Sequence, residues 1–208
     1  SKGAAQLVVA LLVQDGVLDL DAKVCRYWPE FAAHGKEEIT LRQLLAHQAG
    51  MVATDLGFTA EELADEPLVP AIRRSGPASF GGVASARGLA RMYATAIGSV
   101  DGAPPPLRPE TAATFAQAHS VGRDLVSREH RAFGVGFQIT SEYYPVLGQG
   151  SFGHSGAGGQ QAFADPRNAL SYGYSRRRSS FPGGAAPEND RLIRAVHAAA
   201  TSRRERST

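Results

Sequence analysis

The chain holds six histidines, a single cysteine, three lysines and nineteen arginines. Few of these groups fall at spacings that could do chemistry together. Cys25 is alone, so it can neither close a disulfide within the chain nor seed a zinc cluster. No two histidines, and no histidine with an acid, show metal-ligand spacing, so a metal is not expected. His154 lies in the glycine-rich run Phe152-Gly153-His154-Ser155-Gly156-Ala157-Gly158-Gly159. Gly153-His154-Ser155 begins like the Gly-x-Ser-x-Gly elbow of α/β-hydrolases, but the fifth position is Ala157, and the motif fails. His47 near a helix end reads as structural. His34, His119, His130 and His197 read as surface or packing residues. Arg87 and Arg91, one helical turn apart, read as ion-pair or loop-anchoring residues.

The elements that would position these groups follow from local patterns. Gly3 to Gln14 is apolar at helical spacing and nearly lacks a polar face, which predicts a buried helix stopped by Asp15-Gly16. Val17 to Asp21 reads as an extended segment or turn, and Tyr27-Trp28-Pro29 breaks any helix there. Thr40-Leu41-Arg42-Gln43 has the form of a capping box for a helix that ends near Gly50. Thr59 to Glu62 repeats the pattern for a shorter helix, and Glu66 to Val83 is irregular. Ser85 can cap a helix whose apolar face is Leu89, Met92, Tyr93 and Ile97, and Pro109 suits the first turn of another. Phe133, Val135, Phe137 and Ile139 alternate with Gly134, Gly136 and Gln138, which predicts a half-buried strand. Gln160 to Ala164 and Leu170 to Tyr174 predict two more, and a closing helix carries Leu192, Ile193, Val196 and Ala199 on one stripe. Helices first, then glycine-rich strands, then a helix indicate an α+β domain over residues 1–200, with 201–208 as a basic tail.

Composition narrows the function classes. The 208 residues are 43% hydrophobic and 20% charged with a net charge of +2, ordinary for a globular domain. No basic face is dense enough for nucleic acid, and no apolar run is long enough to span a bilayer. The arginines at 176–178 and at 203, 204 and 206 read as a solvated loop and a frayed tail. The chain opens on Ser1-Lys2 within a helical pattern, so sequence upstream is expected and the compartment is not legible.

Several stretches together resemble the β-lactamase-related serine hydrolases: class C β-lactamases, penicillin-binding carboxypeptidases and family VIII esterases. They are Ser1 to Ala5 with the helix behind it, Gly16 to Ala22, Tyr27-Trp28-Pro29-Glu30-Phe31, and Ile39 to Gly50 with its Leu-Leu-x-His-x-x-Gly ending. Gly134 to Phe137, Phe152 to Gly159 and Phe163 to Pro166 complete the set. The resemblance implies an antiparallel sheet flanked by helices plus a helical subdomain, here truncated at the N-terminus and shortened in the middle. It implies acyl-serine chemistry on a small ester or amide substrate, with no cofactor; oligomerisation is possible. Lys2 stands where the lysine of the Ser-x-x-Lys motif belongs, and the matching serine would fall two residues before Ser1. His154 stands where the third motif places Lys-Thr-Gly or His-x-Gly, giving a second catalytic candidate, with Ser155 and Gly156 as substrate-binding candidates. The family's tyrosine motif has no counterpart, because Leu56 to Phe80 contains no tyrosine, and Tyr93 reads as core. This chain is therefore expected to be inactive, and a non-catalytic binding or assembly role on the same fold is the alternative.

Overall fold

The computed structural model describes residues 1–50, 82–178 and 184–206. The helix anticipated at Thr59 to Glu62, and nearly all of the irregular Glu66 to Val83 stretch, lie outside the described residues.

Six strands form one antiparallel meander in chain order: β1 (Ser120–Arg123), β2 (His130–Phe133), β3 (Gln138–Ile139), β4 (Phe152–Ser155), β5 (Gln161–Asp165) and β6 (Leu170–Tyr174). The described helices are α1 (Lys2–Gln14), α2 (Leu41–Leu45), α3 (Ala86–Ile97), α4 (Pro109–Ala116) and α5 (Glu188–Glu205). This is the α+β arrangement that the order of elements implied.

Successive strand residues face opposite sides, so the sheet has two distinct faces. Phe152 pairs with Ala164 and His154 with Ala162, and Phe152, Ala162 and Ala164 belong to the core built with α1, α3 and α4. On this inner face Phe137 lies edge-on to Phe152 at 5.0 Å and to Phe115 at 6.4 Å. Tyr93 from α3 closes the cluster, edge-on to Phe152 at 6.2 Å. Such edge-to-face pairs add to area burial. Gly153 pairs with Phe163 and Ser155 with Gln161, and this outer face meets α5 through Phe163, Tyr172 and Ile193.

Local signals hold where they are self-contained. Thr40 and Gln43 form both bonds of the capping box, with Gln43 N–H donating to Thr40 Oγ1 and Thr40 N–H to Gln43 Oε1. Ser85 Oγ accepts from Gly88 N–H, and Pro109 opens α4. Arg42 reaches back to Asp21 with two nitrogens at 2.8 and 2.9 Å, tying α2 to the turn after α1. Arg91 pairs with Asp101, as a loop anchor should.

Three expectations change. First, α1 is not sunk in the core, since only Gly3 and Ala10 are buried and Val8 is 56% exposed. Second, the run from Phe133 to Ile139 is not one strand. It breaks into β2, a buried turn and β3, because Gly136 takes φ +76 and Gly134 N–H donates to Phe137 O. The alternating glycines permit close approach of Gln6 and Phe115, and do not mark a solvent-facing side. Third, α2 stops at Leu45, short of Gly50. The arginines at 203 and 204 sit on α5, which continues to Glu205, and Arg204 donates to Arg167 O.

Candidate active site

Lys2 is the first residue of α1, and α1 lies against the inner face of β4. The lysine's placement follows from the turn beneath it. A Cβ on Gly3 would come within 2.1 Å of the Tyr93 hydroxyl, so only glycine lets the helix start sit down on α3. Tyr93 itself is 1% exposed, and burial raises its hydroxyl far above the ordinary tyrosine value. It is core, as its helix face suggested. Ser1 caps the approach from the other side, its Oγ accepting from Gly82 N–H at 2.7 Å.

His154 projects from β4 toward the same region. The alternation of β4 puts it on the Phe152 side, and its ring lies 6.4 Å from Phe133. Nδ1 sits 2.7 Å from the carbonyl oxygen of Ser155. Desolvation drives the imidazole down to about 4, against the help of that hydrogen bond, and the positive charges of Lys2 and then His47 push the same way. Lys2 and His154 are thus near enough to feel each other, though 152 positions separate them in the chain.

His47 was read as a helix-end residue, and it does sit just past α2, in the left-handed region at φ +59. It also stacks on Phe133 with ring centres 4.2 Å apart, and desolvation lowers its pKa. His47, Phe133 and His154 therefore make one row of rings beside Lys2. The signal for it in the sequence is the histidine of the Leu-Leu-x-His-x-x-Gly ending.

The two substrate-binding candidates part company. Gly156 leaves β4 at the head of a tight β4–β5 turn, its N–H donating to Gln160 O at 2.8 Å. Ser155 faces the outer side. Its N–H donates to Gln138 Oε1 at 2.8 Å, and it lines a cavity of about 440 Å³ with Gln138, Gln161, Tyr143 and Tyr144. The strand that turns His154 to the inner face thereby turns Ser155 to the outer one. Among the described residues no group of three histidine, cysteine, aspartate or glutamate side chains could hold a metal. No described helix is long and apolar enough to cross a membrane.

The family model described as Beta-lactamase matches residues 1–79 and 59–197. The chain belongs to the Beta-lactamase family. The two matches share residues 59–79. Its fold is shared with EstA from Arthrobacter nitroguajacolicus Rue61a, at a TM-score of 0.77 and 28% identity, over 97% of this chain and 83% of that one. A family VIII carboxylesterase has the same fold at a TM-score of 0.75 and 22% identity, over 95% of this chain and 81% of that one. A penicillin-binding protein homologue from Caulobacter crescentus has it at 0.74 and 23%, over the same shares of the two chains. The esterase/beta-lactamase LipL of Mycobacterium tuberculosis is 38% identical over 69 residues, which is 33% of this chain and only 16% of LipL. The family is that of serine-hydrolase-type β-lactamases and esterases, in agreement with the motifs.

Proposed function

We propose that this Beta-lactamase family chain carries two walls of an acyl-serine hydrolase site for small esters or amides, and that the 208 residues alone are catalytically silent. What supports it is that Lys2 opens α1, the helix that packs against β4, whose His154 is on the inner face of the sheet. In such a site the lysine takes the proton of a serine one helical turn earlier, and the serine forms an acyl-enzyme. The turn after β4 would offer a backbone N–H to the developing oxyanion, since the N–H groups of Ser155 and Gly156 are given to Gln138 and Gln160. His154 and Gly156 would line the substrate from the β4 edge. Ser155, turned to the other face, would act only through the backbone of β4.

Silence follows from the parts that the sequence does not supply. Leu56 to Phe80 has no tyrosine to pass a proton to the leaving group. The double match over residues 59–79 fits a shortened middle. The same gaps favour the second reading, in which the fold serves binding or assembly without turnover.

A fluorophosphonate probe with intact-mass readout separates these. The 208-residue chain should gain no adduct. The same protein extended upstream with a serine three residues before Lys2, and with a tyrosine segment restored, should gain one. Labelling of the 208-residue chain would refute the silence, and an unlabelled extended protein would favour the binding reading.

A further inference from the structure

The outer face of the sheet holds a cavity that the acyl-serine reading leaves unused. Its volume is about 440 Å³, within the range of about 300–1,000 Å³ usual for small-molecule sites. Gln138 of β3, Ser155 of β4 and Gln161 of β5 line it from the sheet, and Tyr143 and Tyr144 line it from the turn after β3. Gln161 pairs with Ser155 on one side and Tyr174 on the other, and alternation puts its side chain on the Phe163 face, which is the outer one. The residue is 2% exposed, and its Nε2 is buried with no hydrogen-bond partner. Among the described residues no other member of the cavity lining has such an orphaned buried atom. An unpaired buried donor carries its full desolvation cost. The last torsion of a glutamine side chain is broad, so the amide can turn onto an acceptor in the cavity at little cost.

The charged residues at the cavity are already matched. Glu129 pairs with Arg131 at 2.6 Å, Asp190 with Arg194 at 2.9 Å, and His130 faces Glu142 at 3.6 Å. An ion placed there would give up its water and then compete with a standing pair. What remains unmet is one neutral donor in a cavity that two tyrosines share. We infer that this cavity is a second binding site, on the face opposite His154, for a small uncharged amide with an aromatic substituent. The amide oxygen, a stronger acceptor than an ester oxygen, takes the hydrogen of Gln161 Nε2, and the substituent lies against Tyr143 and Tyr144. The site needs no nucleophile and stands whether or not the inner face turns over a substrate.

The test titrates the 208-residue chain, labelled with nitrogen-15, with acetanilide, a neutral amide carrying a phenyl ring. Saturable shifts should centre on the Gln161 side-chain amide and the Ser155 backbone amide, with nuclear Overhauser contacts from the probe to the ring of Tyr143 or Tyr144. Gln161→Leu should bind acetanilide about fivefold more weakly, the worth of one hydrogen bond, and urea unfolding checks that the variant keeps its fold. Benzoate, of similar size but charged, should bind more weakly than acetanilide to the unaltered chain. No saturable shift up to the solubility of acetanilide, or shifts that miss Gln161, would overturn the inference whether or not the variant folds. Equal affinity in a folded Gln161→Leu would overturn it as well, and so would tighter binding of benzoate.

Discussion

The two faces of the sheet are built from the same strands and differ in what they do with polar groups. The inner face packs Phe115, Phe137, Phe152 and Tyr93 edge to face, and the site candidates Lys2, His47 and His154 gather at its margin. The outer face meets α5 through Phe163, Tyr172 and Ile193, then opens into a cavity where Gln161 is 2% exposed with its Nε2 unpartnered. The apolar surroundings strip water from His47 and His154, which lowers their pKa values. A looser face leaves a buried donor unpaired, which costs stability.

Phe152→Ala should destabilise the chain by about 4 kcal/mol, because a fully packed ring leaves a cavity; urea unfolding reads it. A loss below about 1 kcal/mol would mean that the inner face is not packed as described. The next effect is on pH. His154 is held down to about 4 in the fold, below the ordinary unfolded value near 6.5. The unfolded chain therefore binds more protons between those values. Its contribution to stability is full above about 6.5 and is lost as pH falls toward about 4, a change on the order of 3 kcal/mol. His154→Gln should flatten that slope in denaturation curves taken across the window. His47 and His119, both lowered chiefly by desolvation, add smaller slopes of the same sign.

Gly153→Ala tests the seam between the faces. Its Cβ would lie 2.2 Å from Ala162 O and 2.6 Å from Phe163 Cα, backbone that cannot step aside. A loss of about 2 kcal/mol is expected, and the same measurement reads it. The smallest effect belongs to the outer face. Gln161→Leu replaces an unpaired buried donor by an apolar group of similar size, and should be neutral or stabilising by about 1 kcal/mol. A clear loss would show that Gln161 has a partner and that the outer face is better satisfied than described.

Much of this was legible in the sequence where the cause is local. The capping box at Thr40, the cap at Ser85 and the proline opening α4 each depend on a few neighbouring residues, and each forms. The motif run at Phe152 to Gly159 pointed to His154, and the apolar face of α3 pointed to Tyr93 as core. What failed depends on distant partners. The break at Gly134 to Phe137 exists because Gln6 and Phe115 press there, and no local pattern reports them. The half-open setting of α1 depends on what packs around it, not on its own composition. The facing of Ser155 was readable, since neighbours on a strand point to opposite sides, but a motif quoted as a block hides that alternation.

Lys2 and His154 come from α1 and β4, which pack against each other on the inner face of the sheet. The most direct measurement is the His154 titration by nuclear magnetic resonance, in the unaltered chain and in Lys2→Met. The structure predicts that His154 stays unprotonated down to about pH 4 and that removing the lysine charge raises its pKa. A histidine that titrates near its ordinary value, unmoved by Lys2→Met, would mean that the two residues do not share a site.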